Sequence, residues 1–248
     1  MSDQNRKTAV ITGGTRGVGK GIADRFAQLG MNLVIGYATK DEEAQAAADD
    51  LQRQGADVLL VKADITNRTE VEALFRQALD RFGRIDVVMA NAGFEVIDGP
   101  FTDMEEDRLH HVVDLNVKGT FFTLQQAARH VVDGGRVVVT ASTIALYPPE
   151  NAGVYASTKA ATRTLVEVLS KELGPRGVTV NSIAPGMVKT AGVFTQMPRE
   201  LEQQAVAATP LGRMVEPADV AGAAVFLVSD DAAMISGQHI GITGGAVQ

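Results

Sequence analysis

The feature that most constrains this chain is an alternation that runs through its whole length. Short, nearly continuous apolar runs rich in β-branched residues cover 8–12, 32–36, 57–61, 85–90, 136–140, 179–184 and 239–242. Longer amphipathic stretches lie between them, at 17–29, 41–54, 67–82, 103–131, 152–173 and 217–228. Continuous rather than alternating apolar runs suit strands buried on both faces. Ala44, Ala47, Ala48 and Leu51 make one helical stripe, and Val71, Leu74, Phe75, Ala78 and Phe82 another. Gly30, Gly55 and Gly83 follow helical patterns, as C-terminal caps do. Strand–helix alternation implies right-handed crossovers and a doubly wound α/β fold: a parallel sheet of about seven strands with helices on both faces.

No linker, repeat or low-complexity segment interrupts the pattern, so residues 1–248 are expected to form one domain. The stretch 185–215 breaks the rhythm, with Pro185, Gly186, Gly192, Pro198, Pro210 and Gly212. A connection this long suggests a substrate-covering flap. The chain has no cysteine, which excludes disulfides and thiolate sites, and Met1–Lys7 lacks the apolar core of a leader; a cytoplasmic location is expected. A net charge of −7 without a basic run, and no tryptophan, argue against nucleic acid and membrane partners.

The first strand leads into Thr12-Gly13-Gly14-Thr15-Arg16-Gly17-Val18-Gly19. Glycines there allow close approach of a ligand to the backbone, and free N–H groups at a helix start favour a pyrophosphate. An ordinary tight turn is the alternative. The position after the first strand of a repeating βα pattern favours nucleotide binding. Tyr155 and Lys159 lie four apart in a helical stretch, on one face. An ammonium beside a phenol is expected to lower the tyrosine pKa and make it an acid/base near neutral pH, unless the pair is merely solvated. Ser142 follows the buried run 137–139 at a C-terminal strand end, where open parallel sheets bind ligands, although a turn serine reads the same way. Ser142 is not in a G-x-S-x-G elbow, and no spacing of histidines or acids matches a metal site.

Thr12-Gly13-x3-Gly17-x-Gly19, Asn91-Ala92-Gly93, Asn116, Ser142, Tyr155-x3-Lys159 and Pro185-Gly186 together resemble the short-chain dehydrogenase/reductase family, from about residue 6 to the C-terminus. The resemblance implies a Rossmann-type fold and a catalytic set of Asn116, Ser142, Tyr155 and Lys159. In that set the serine holds the substrate oxygen and the tyrosine exchanges a proton with it. The lysine binds the nicotinamide ribose and tunes the tyrosine, and the asparagine distorts its helix to support a water relay to the lysine. It further implies cofactor contacts from Gly13, Thr15, Arg16, Gly17, Val18 and Gly19; from Tyr37, Ala38 and Thr39; from Asp64, as acceptor for the adenine amino group, and Ile65; from Asn91, Ala92 and Gly93; and from Pro185, Gly186, Val188 and Thr190. Asp64 also reads as a helix cap near Thr66-Asn67.

NAD-binding chains place an acid about 20 residues past the glycine turn, on the ribose hydroxyls. Here that place is Tyr37, followed by Ala38 and Thr39; the first acid, Asp41, is expected to cap the next helix. Arg16 is placed to pair with a 2′-phosphate, helped by Thr39 and Lys40, so NADP(H) is favoured over NAD(H). Phe94, Ile144, Leu146, Tyr147, Met187 and Phe194 are expected to line an apolar pocket for a ketone or secondary alcohol, with Glu95 and Glu150 as polar candidates. The pattern is similar to 3-oxoacyl-carrier-protein reductases and polyhydroxynaphthalene reductases. An acidic carrier would need a basic landing patch, for which Arg129 and Arg176 are candidates. The segment 131–135 carries no basic residue, which favours a free small-molecule carbonyl. The alternatives are a carrier-protein reductase, an NAD-dependent sugar or alcohol dehydrogenase, and a catalytically silent nucleotide sensor. The stretches 103–131 and 152–173 carry surplus apolar residues, among them Ala127, Ala128, Val131, Leu165, Val168 and Leu169. With the family's use of these helices and of the last strand, they point to a homotetramer.

Overall fold

A computed structural model describes residues 6–96, 99–189 and 197–246. Seven strands form one parallel sheet: β1 (Thr8–Thr12), β2 (Asn32–Tyr37), β3 (Val58–Lys62), β4 (Val87–Ala90), β5 (Arg136–Thr140), β6 (Thr179–Pro185) and β7 (His239–Ile242). Their order is β3-β2-β1-β4-β5-β6-β7, so the direction of winding reverses between β1 and β4. That reversal opens a crevice at the C-terminal strand ends, where ligands bind in such sheets.

The helices are α1 (Gly17–Gln28), α2 (Asp41–Arg53), α3 (Arg68–Phe82), α4 (Glu106–Val113), α5 (Thr120–His130), α6 (Gly153–Leu173), α7 (Arg199–Ala207) and α8 (Pro217–Leu227). Alternate strand residues enter opposite cores, as the two-residue period of a strand requires. Ala9, Ile11, Leu33, Ile35, Val87 and Met89 pack against α1, α2 and α8. Val10, Val34, Val88, Val137, Val139 and Val180 pack against α3, α5 and α6. No helix among the described residues is long and apolar enough to cross a membrane.

Three expectations need correction. The stretch 103–131 is not one helix: α4 and α5 are joined by a π-helical segment, Asp114–Gly119. Asp41 does not cap α2; Lys40 stands at the cap position with φ +64°, and Asp41 is the first helical residue. Ala127, Val131 and Leu169 do not supply surplus surface, because all three are buried in the core. Val168, among the residues expected, is 48% exposed on α6, and Phe121 on α5, which the sequence reading did not include, is 45% exposed. The segment 185–215 carries α7, which holds its place through buried Ala205. Thr190 and Phe194 lie outside the described residues.

Candidate active site

The glycine turn is shaped by backbone crowding. Gly13 has φ +65° and Gly17 φ +53°, a region that side-chain-bearing residues rarely adopt. A Cβ at Gly19 would collide with the Gly13 carbonyl and the Asn91 side chain. The turn therefore closes tightly on β4 and delivers the start of α1 to the crevice. Arg16 occupies the N-cap of α1 in an extended conformation, with no side chain capping the helix. The first N–H groups of α1 thus face the turn ready for an anion.

Asn91 locks this arrangement. Its Nδ2 donates to the carbonyls of Thr12 and Gly13 at 3.2 and 3.1 Å, and its Oδ1 accepts from Thr140 Oγ1 at 3.0 Å. The Thr12 hydroxyl accepts from the backbone N–H groups of Asn91 and Ala92, both at 3.1 Å. The Asn91 side chain is thus engaged by protein on every polar atom, and its position ties β1, β4 and β5 together.

On the β2 side of the turn, Gly13 N donates to Gly36 O at 2.8 Å, bringing the turn beside Tyr37. The carboxylate of Asp41 is bound by Lys62 at 2.8 Å and by the Tyr37 hydroxyl, and these bonds, the lysine's foremost, hold its pKa below the ordinary value. Asp64 folds its carboxylate back on its own turn, accepting from Thr66 N and Oγ1 at 2.9 Å. The cap of α3 is Asn67, accepting from Thr69 N at 3.0 Å.

The reacting end is built on β5, α6 and the π-helical segment. Ser142 lies just past β5, and its side chain is hydrogen-bonded to that of Tyr155. Tyr155 and Lys159 both point inward from the first turns of α6 and are buried. Lys159 Nζ donates to the Thr140 carbonyl at 3.1 Å and lies 5.7 Å from the Tyr155 ring centre. The expected lowering of the tyrosine pKa does not hold. Burial pushes the phenol up, the Glu95 charge adds to the rise, and only the Ser142 hydrogen bond opposes them. Burial likewise lowers Lys159 to about 8, against an upward pull from Glu95. Desolvation outweighs the pairing read from the spacing, since both groups are buried. A phenol held protonated beside a lysine still cationic at pH 7 suits a proton donor.

Asn116 sits inside the π-helical segment and is buried. Its Oδ1 accepts from Phe94 N at 2.7 Å; its Nδ2 donates to Phe94 O at 2.9 Å and to Thr158 Oγ1 at 3.2 Å. The local helix distortion expected at this asparagine is present.

A family model of the short-chain dehydrogenases, described as "Enoyl-(Acyl carrier protein) reductase", matches residues 13–247. The chain belongs to the short-chain dehydrogenase/reductase family. A hydroxynaphthalene reductase-like protein of Metarhizium brunneum is 37% identical over 254 residues, covering 97% of this chain and 95% of the relative. A short-chain dehydrogenase/reductase from Serratia marcescens superposes with a TM-score of 0.90 at 34% identity, covering 96% of this chain and 97% of that one. Another, from Burkholderia cenocepacia and solved in complex with NADP, gives 0.88 at 30% identity, covering 97% of each chain.

Within this short-chain dehydrogenase/reductase, Phe94, Leu146 and Tyr147 are substantially exposed. Ile144 packs with Val96 and Val112 around Tyr155, and Met187 is half-buried. The Phe94 ring meets His111 edge-on at 5.0 Å. Ile65 and Val188 are buried in the cores, and Val18 is half-buried against one of them. Arg176 is not a free landing point: it binds Asp133 and the carbonyls of Ala128 and Val131 at the end of α5. Sequence reasoning missed Thr140 and Thr158, which hold Lys159, Asn116 and the backbone of Tyr155. Two threonines carry no motif, and their roles exist only once β5, α6 and the π-helical segment meet.

Proposed function

We propose that this chain is an NADP(H)-dependent reductase that converts the ketone of a free small molecule to a secondary alcohol. The observation that carries the reading is the side-chain hydrogen bond between Ser142 and Tyr155, with Lys159 buried one turn away, at the C-terminal strand ends.

The residues present fit a nicotinamide dinucleotide. The tight turn at Gly13–Gly19 leaves the start of α1 without a side-chain cap, so its first N–H groups are available to a pyrophosphate. Tyr37-Ala38-Thr39 offers no carboxylate for ribose hydroxyls, Asp41 is already bound by Lys62, and Arg16 stands exposed at the α1 start to pair with a 2′-phosphate. When bound, the cofactor supplies the hydride. Ser142 orients the substrate carbonyl by donating from Oγ to its oxygen. Tyr155 gives its proton to that oxygen as negative charge develops, a role its raised pKa suits in the reductive direction. Lys159 contributes positive charge 5.7 Å from the phenol ring and would hold the cofactor's ribose. Asn116 has every side-chain polar atom engaged by Phe94 and Thr158, so it shapes the site rather than donating to substrate.

The exposed apolar rim of Phe94, Leu146 and Tyr147 supports a free apolar ketone. Of the two basic candidates for a carrier, Arg176 is engaged by Asp133 and by the end of α5. Exposed Phe121 and Val168 on α5 and α6 and the open edge strand β7 support a homotetramer. NADPH consumption with matched free and carrier-bound ketones tests the substrate class: turnover of the carrier-bound form alone would overturn this assignment.

A further inference from the structure

We propose that the buried hydroxyl of Thr158 is a positioning group that ties the Tyr155 turn of α6 to the π-helical segment. The inference rests on the reductase reading above and deepens it.

Thr158 is 2% exposed. Its Oγ1 donates to the Tyr155 carbonyl at 2.7 Å and accepts from Asn116 Nδ2 at 3.2 Å. Asn116 in turn grips the Phe94 backbone through both N–H and carbonyl. One continuous path of hydrogen bonds therefore runs from the exit of β4, through Asn116 and Thr158, to the backbone that carries the phenol.

Hydroxyls inside helices commonly bond back to their own helix. Ser157 does so to Gly153 O at 2.7 Å, and Thr162 to Thr158 O at 3.1 Å. Thr158 differs by making a second bond, to a residue 42 positions away. It uses the hydroxyl as donor and acceptor at once, which at this place only serine or threonine can do. Thr158 touches no reacting atom. It acts through Tyr155, by fixing where the first turn of α6 sits against Asn116 and hence where the phenol meets Ser142.

The test compares Thr158→Val, which keeps the shape without the hydroxyl, with Thr158→Ser, which keeps the hydroxyl. Thr158→Val is expected to lower kcat by about ten- to hundredfold, since small misplacements of reacting groups act on that scale. KM and the NADPH dissociation constant should stay near wild type. Thr158→Ser should restore kcat, and if Thr158→Val does not fold, Thr158→Ala reads the same split. An unchanged kcat in Thr158→Val, or equal loss in Thr158→Ser, overturns the proposal. Wild type run on the same ketones separates the two readings, because a wild type that reduces none of them sinks the reductase assignment alone. Hydrogen exchange then decides the positioning role. Protection of amides 153–159 lost in Thr158→Val and regained in Thr158→Ser supports it, and unchanged protection overturns it.

Discussion

Lys159 Nζ donates to the Thr140 carbonyl at 3.1 Å, while the hydroxyl of that same threonine holds Asn91, the side chain that clamps the glycine turn. Residue 140 thus links the anion-binding turn at one end of the crevice to the buried ammonium at the other. The lysine is fixed by the sheet rather than by its neighbour on the helix.

The first prediction concerns pH. Burial lowers Lys159 from 10.5 to about 8, and raises Tyr155 above its ordinary value. Both groups are protonated at neutral pH, and the lysine loses its charge first as pH rises. Reductase kcat should therefore fall through about pH 8, with Lys159 setting the limb. The Glu95 charge pulls Lys159 upward, so Glu95→Gln should move that limb to lower pH. Rate profiles of wild type and Glu95→Gln check this; an unmoved limb contradicts it.

Much of the fold was legible because its strands are buried on both faces. Continuous apolar runs such as Val137-Val138-Val139 mark parallel strands without ambiguity from a solvent face. The distortion at Asn116 was legible only through the family resemblance; the helical pattern alone did not show where the π-helical segment begins or ends. The nine residues of α7 are mostly polar and sit among prolines and glycines, so no stripe announces them. The direction of the Tyr155 shift was misread because burial depends on tertiary depth, while the four-residue spacing to Lys159 shows only proximity. Thr158 meets Asn116 only in the folded chain.

Cofactor choice gives the second prediction. A charge-assisted contact from Arg16 to a 2′-phosphate is worth about 1.5–3 kcal/mol, which is about 10- to 150-fold in affinity. NADPH should be preferred over NADH by at least about tenfold in kcat/KM. Arg16→Ala should weaken NADPH and leave NADH nearly unchanged, and Ala38→Asp should reverse the preference by repelling the phosphate. Equal weakening of both cofactors by Arg16→Ala would mean that the turn itself was damaged.

Assembly gives the third. Phe121 and Val168 present about half of their surface on adjacent helices, beside Phe122 and Leu165. Burying the remaining half of such side chains contributes about 0.7–1.5 kcal/mol each, half the value for a fully exposed one. Light scattering should report a tetramer for wild type, and Val168→Glu should give a smaller species with its fold intact by circular dichroism. A monomeric wild type at micromolar concentration contradicts the assignment.

The central claim, that Tyr155 is the proton donor of a nicotinamide-dependent carbonyl reduction, is tested most directly by Tyr155→Phe. The phenyl ring keeps the shape but has no proton to give, so ketone-dependent NADPH oxidation should fall by at least about 10²-fold. NADPH binding, read by fluorescence titration, should stay near wild type. A variant that retains wild-type kcat, or loses activity only because it no longer binds NADPH, would contradict the account.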